Sequence, residues 1–200
     1  MSSFVGHSLA AFTIYSCHKP RRSKKWHRFF WLGWLTILGL VPDLDHFVPF
    51  LHQSAHHQMR ITHSLTFALF LPIVTLAILV FCGVRGKTLK IRSLQVICAG
   101  LSNPILDLLV GVVGIPLFWP FSGQLFKLPF GLLPSAGALY LTNYYLYKNL
   151  LIELGVLMPL FYSIYLSFHH RPSFPNKILK IAGLLAISGG FMIWAFLLPR

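Results

Sequence analysis

Acidic residues are nearly absent from this chain. Only Asp43, Asp45, Asp107 and Glu153 stand against 17 lysines and arginines, leaving a net charge of +13. Charged residues make up only 10% of the sequence and hydrophobic ones 56%, which excludes an ordinary soluble domain. Cysteine is scarce as well. Cys17, Cys82 and Cys98 show no CxxC spacing, so neither a disulfide framework nor a thiolate metal site is expected. No basic stretch precedes the first apolar run; the positive cluster follows it, so residues 1–17 read as mature protein and not as a signal peptide. Low-complexity tracts and internal repeats are missing too, and residues 1–200 read as a single integral membrane domain. The basic residues are not interleaved with base-stacking aromatics, which argues against nucleic acid as a partner.

What is present in excess is apolar length. Positions 64–82 carry no charge, 94–126 only Asp107, 148–168 only Lys148 and Glu153, and 178–198 only Lys180. A helix of about 20 apolar residues spans the hydrocarbon core of a bilayer, so these four segments predict transmembrane helices. Positions 4–17 and 29–41 are shorter and predict short, tilted or re-entrant spans. The expected fold is all-α, a polytopic membrane protein of about six transmembrane helices, with the lipid bilayer as its main partner and the oligomeric state left open.

Charge sets the orientation. Lys19, Arg21, Arg22, Lys24, Lys25 and Arg28 lie between the first two spans, Arg85, Lys87, Lys90 and Arg92 between the third and fourth, and Arg171, Lys177 and Lys180 between the last two. Arg60, Lys127, Lys148 and Arg200 fall on the other side. The positive-inside bias places the larger set in the cytoplasm and both termini outside. Contact with anionic headgroups accounts for the remaining significance of the charge. Threaded this way, all four acids and six histidines (His7, His46, His52, His56, His57 and His63) reach the non-cytoplasmic side. The carboxylates played no part in choosing the orientation.

A carboxylate beside apolar, membrane-length segments costs several kcal/mol unless a cation, a partner or water compensates it. Carboxylate oxygens and imidazole nitrogens are the ligand set of zinc, manganese and iron, and a divalent metal ion would neutralise these acids. In Val41-Pro42-Asp43-Leu44-Asp45-His46 three potential ligands fall within four residues, and Pro42 disturbs regular helix there. Asn103 and Asp107, four apart, share one helix face. In Thr62-His63-Ser64, Thr62 or Ser64 can cap the next helix while His63 points to the site. Each feature has a plainer reading: Asp-x-Asp marks turns and caps, Asn103 with Asp107 can bind neighbouring helices together, and His52, His56 and His57 sit in a polar loop.

These residues resemble a family, the predicted membrane-bound metal-dependent hydrolases typified by a LexA-regulated bacterial inner-membrane protein. The likeness rests on Gly6-His7, Leu40-Val41-Pro42-Asp43-Leu44-Asp45-His46, Ile61-Thr62-His63-Ser64-Leu65 and Ser102-Asn103-Pro104-Ile105-Leu106-Asp107-Leu108-Leu109, in that order over about residues 4–125. Gly114-Ile115-Pro116-Leu117-Phe118-Trp119-Pro120 resembles the segment that follows. Two positions depart from the pattern. Gln58-Met59 stands where the family carries a His-Arg pair, and Asn103 where it carries a histidine; asparagine is a poor zinc donor. The resemblance implies hydrolysis of an ester or phosphoester in a bacterial inner membrane.

The expected metal ligands are His7, Asp43, Asp45, His63, Asp107 and Asn103, with His46 and Glu153 as proton-transfer groups. A loop rich in proline and aromatics, residues 114–148, is expected beside them at the outer interface, where it could guide a lipid-like substrate. Two rivals differ in what they require. A metal-ion or proton transporter needs polar residues through the whole membrane, and a non-catalytic protein keeping the fold needs the acids only for packing.

Overall fold

Side-chain caps, prolines and left-handed glycines set the helix boundaries. Ser3 Oγ accepts from the Gly6 amide at 3.1 Å and opens α1 (Phe4–Cys17). Helix α2 (Lys25–Leu40) gives way at Pro42 to a 3-10 turn, Val41–Phe47, and a second 3-10 turn covers Ile61–His63. Ser64 Oγ then accepts from the Phe67 amide at 3.2 Å and opens α3 (Leu65–Phe81). A short turn leads to α4 (Gly86–Val110), which stops at Gly111 in the left-handed region, φ 63°. Helices α5 (Tyr144–Phe168) and α6 (Phe174–Phe196) complete the chain. The computed structural model describes residues 3–18, 25–47, 60–135, 142–168 and 174–198, without the side chains of His46, Phe47 and residues 174–176.

The described residues are all-helical and contain no strand, only an isolated antiparallel bridge between Ile115 and Phe126. Six spans were expected; three helices are long and apolar enough to cross a membrane, namely α4, α5 and the Lys177–Phe196 part of α6. Helices α1 and α3 have 14 and 17 residues. At 1.5 Å per residue they reach roughly 21 and 26 Å, short of a hydrocarbon core of about 30 Å. Helix α2 begins with Lys25, His27 and Arg28, which shortens its apolar part. The expected fourth span, 94–126, is displaced: its helix starts at Gly86 and Gly111 ends it, so residues 111–126 lie outside it. Of the basic residues assigned to the cytoplasm, Lys19, Arg21, Arg22, Lys24 and Arg171 lie outside the described residues, as do His52, His56, His57, Gln58 and Met59.

Helix α1 is the centre of the packing. Ala10 joins Leu106, Val110, Leu133, Val156 and Leu157 in one buried cluster, linking it to α4 and α5. Ala11 and Tyr15 join Leu35, Leu38, Val96 and Ala99 in another, linking it to α2 and α4. Two polar contacts join helices: Trp31 Nε1 donates to Gln95 Oε1 at 2.8 Å, and Ser188 Oγ to the Val156 carbonyl at 2.9 Å. Helix α6 packs on α5, where Gly155 lies against the Phe191 ring.

Backbone bonds hold the non-helical segment 111–135 in place. Leu65 N donates to Leu117 O at 2.9 Å, Thr66 Oγ1 to Trp119 O at 2.8 Å, and Leu132 and Leu133 N to Leu109 O at 2.8 and 3.1 Å. The segment therefore ties the start of α3 to the end of α4.

Candidate functional site

Five pieces of chain meet at one end of the bundle: the start of α1, the turn after α2, the turn before α3, the last turns of α4 and the early turns of α5. Alternating helix direction brings these ends together although their sequence separation is large. His7, Asp43, His63, Asn103, Asp107 and Glu153 are each 4% exposed or less. Burial on this scale disfavours charge, so each carboxylate must be answered by partners.

Asp43 is the hub. Its Oδ2 lies 3.3 Å from His7 Nε2, and its Oδ1 lies 3.2 Å from His63 Nε2. Asp107 faces the same two rings, with Oδ1 3.9 Å from His7 Nε2 and Oδ2 2.9 Å from His63 Nε2. Ligand atoms of His7, Asp43 and Asp107 all lie within 4.8 Å of one another. His63 Nε2 touches the same two acids without belonging to that three-residue group, so two acids and two imidazoles form one buried cluster. Among the described residues, His7 Nδ1 and Asn103 Oδ1 have no hydrogen-bond partner although both are buried.

Asn103 serves this cluster through its amide nitrogen. Nδ2 donates to Asp43 Oδ2 and to the Gly39 carbonyl, both at 3.0 Å. Two acceptors on that atom fix which way the amide points, and the group orients Asp43 against the end of α2.

Asp45 turns to a different set of partners. Both its oxygens are taken by the Arg60 guanidinium, Nε at 2.9 Å and Nη2 at 2.6 Å, and Thr62 Oγ1 donates to Oδ2 at 3.2 Å. This bidentate, charge-assisted geometry keeps Asp45 ionised. Thr62 Oγ1 also lies 3.0 Å from His63 Nδ1, which connects Asp45 to the cluster through one hydroxyl. Burial disfavours the His63 imidazolium, but hydrogen bonds to Asp107 and Asp43 outweigh it and raise the ring's affinity for a proton above an ordinary histidine's.

Glu153 stands apart from the two rings. Its Oε1 accepts from the Ser3 backbone amide at 2.9 Å, placing a carboxylate at the positive end of α1. The backbone of His46 closes the Val41–Phe47 turn, and its side chain lies outside the described residues. Two participants are not among the site residues expected from sequence: Arg60 counts there toward charge topology and stands close to, but out of register with, the family's His-Arg pair, and Thr62 reads as a possible cap. The available signal was electrostatic, since Arg60 is one of few cations on the side that holds every acid. Ser64, not Thr62, caps α3.

A family model described as YdjM inner membrane protein matches residues 1–173, and the chain belongs to that family. No curated protein and no solved structure shows a significant match.

Proposed function

We propose that this inner membrane protein holds a divalent cation among His7, Asp43, His63 and Asp107 and hydrolyses an ester or phosphoester, with a lipid-like substrate, at the non-cytoplasmic face. The observation that carries this reading is the gathering of His7, Asp43 and Asp107 around one point, with His63 Nε2 in contact with both carboxylates. Arg60 is committed to Asp45, and protons on the imidazoles or an ion can meet the charge of Asp43 and Asp107. Nitrogen and carboxylate oxygen donors suit zinc, manganese or iron. When bound, such an ion supplies Lewis-acid chemistry, polarising an ester or phosphoryl oxygen and acidifying water.

The chain's own groups prepare that chemistry. Asn103 orients Asp43 from behind, and its donor nitrogen, not its oxygen, faces that carboxylate. The segment around Trp119 is bonded to the first residues of α3, next to His63, and exposes Phe118 and Phe121, the latter 90% accessible. Exposed aromatics beside the site favour an apolar substrate delivered from the bilayer. The orientation that puts this end outside follows from the positive-inside bias.

Metal content of the detergent-purified protein, measured by mass spectrometry beside Asp43→Ala and His7→Ala, tests the reading. We expect near-stoichiometric zinc, manganese or iron in the wild type and its loss in both folded variants. A loaded protein that turns over phosphoesters or esters, in detergent or in vesicles, completes the case. Wild-type protein that retains no metal under any loading condition overturns it.

A further inference from the structure

The geometry points to Asp45 and Thr62 as positioning residues that set the tautomer of His63, so that its Nε2 lone pair is the one presented to Asp43 and Asp107. The inference rests on the proposed metal site and adds a division of labour within the Asp-x-Asp pair: Asp43 faces the ion, and Asp45 works at one remove.

A chain of hydrogen bonds runs from Arg60 through Asp45 and Thr62 to His63. Arg60 can only donate, and it occupies both oxygens of Asp45, which as a carboxylate can only accept. Thr62 has a single hydroxyl proton. It is spent on Asp45 Oδ2, because an ionised acceptor outcompetes a neutral one. Thr62 Oγ1 must then receive the hydrogen bond from His63, so Nδ1 of His63 carries a proton. In the neutral ring that leaves Nε2 without one, 3.2 Å from Asp43 Oδ1 and 2.9 Å from Asp107 Oδ2. A lone pair facing two carboxylates is repulsive unless a cation sits among them. Arg60, Asp45 and Thr62 are 7, 4 and 3% exposed, so water does not substitute freely for any link. An outer carboxylate holding a ligating histidine by its second nitrogen is a recurrent device at metal sites; here a threonine hydroxyl is inserted between the two.

The test uses the full chain in detergent and zinc as the probe, with affinity read by chelator competition. Thr62→Val removes the hydroxyl at nearly constant volume, Thr62→Ser retains it, and Asp45→Asn weakens its acceptor. We expect Thr62→Val to keep one zinc equivalent but bind it 10- to 100-fold more weakly, the range typical of outer partners of ligating histidines. Thr62→Ser should stay within a few-fold of wild type. In ¹⁵N spectra of the zinc-loaded protein, His63 Nδ1 should show a bonded proton in wild type and Thr62→Ser.

Unchanged affinity in a folded Thr62→Val overturns the inference and leaves the metal site standing. Complete loss of stoichiometric zinc in folded Asp45→Asn, as in Asp43→Ala, makes Asp45 a direct ligand and also overturns it. A wild-type protein that binds no zinc removes the proposed function and this inference together.

Discussion

Replacing Gly100 by alanine should loosen the bundle and weaken the site at once, and the size of the effect can be worked out. Pro72 has no N–H for the carbonyl of Ala68 one turn earlier in α3, and that carbonyl sits against Gly100 of α4. A methyl group at Gly100 would lie 2.7 Å from Pro72 Cγ and closer still to the Ala68 oxygen, whereas ordinary contact begins at 3.4 Å. Neither neighbour is the end of a flexible side chain, so α3 must back away. Overpacking of this kind costs about 1–3 kcal/mol. Alanine in a helix gains roughly 0.5–1 kcal/mol over glycine, which offsets only part of it. The net loss of about 0–2.5 kcal/mol corresponds to a melting-temperature drop of up to roughly 10 °C for a chain of this size. Because His63 leads directly into α3 and Asp107 belongs to α4, the same displacement lengthens their 2.9 Å contact, and zinc affinity should fall about tenfold or more. Thermal unfolding in detergent, followed by tryptophan fluorescence, reads the first effect and chelator competition the second. Gly183→Ala is the control: α6 leaves open space there, so it should be neutral or slightly stabilising. If Gly100→Ala melts no lower than Gly183→Ala, the close approach of α3 and α4 does not govern stability and the reasoning fails.

Other outcomes follow from the buried charges. Arg60→Met leaves Asp45 buried without its guanidinium and should cost about 3–5 kcal/mol, whereas Arg60→Met with Asp45→Leu should recover most of that in the same melting assay. Glu153→Gln weakens the carboxylate at the start of α1 and should lower stability by about 0.3–1 kcal/mol. It should leave the bound-zinc stoichiometry intact; loss of zinc in that variant would place Glu153 in the site. The raised proton affinity of His63 stabilises the metal-stripped protein fully below pH of about 6.5, and this contribution disappears as pH rises through the ring's higher folded value. Stripped wild type should therefore melt lower at pH 9 than at pH 6, and His63→Gln should flatten the difference.

Much of this arrangement was legible in the sequence because polar residues are rare in it. Alternating helix direction is enough to bring His7, Asp43, His63 and Asp107 to one end, and their distances are those of direct contact. Segment ends were less legible. The apolar run 94–126 continues past Gly111 without a charge to mark the change, and only the left-handed glycine ends α4 there. Of the three helices short of bilayer length, those at 4–17 and 29–41 are short in the sequence itself; only 64–82 reads as full length, and there the Ser64 cap opens the helix at Leu65 and it ends at Phe81. The partnership of Asp45 was invisible for another reason. Arg60 lies 15 positions away, and nothing in Asp-x-Asp says that its two carboxylates face different neighbours.

The bonds that fasten residues 111–135 to the helices are mostly main-chain to main-chain, with the side chains of Thr66 and Asn149 adding one each, to the carbonyls of Trp119 and Ser135. Leu117 holds the amide that opens α3, and Leu132 and Leu133 hold the carbonyl near the end of α4. The spacing between the two helix ends, and with it the gap between His63 and Asp107, is thereby written in the length of the segment more than in its side chains. Such a splint tolerates exchange of most of its residues but not insertion or deletion between its anchoring points. For this protein, a shift of reading by one residue outside the site would detune it more than many substitutions nearer to it.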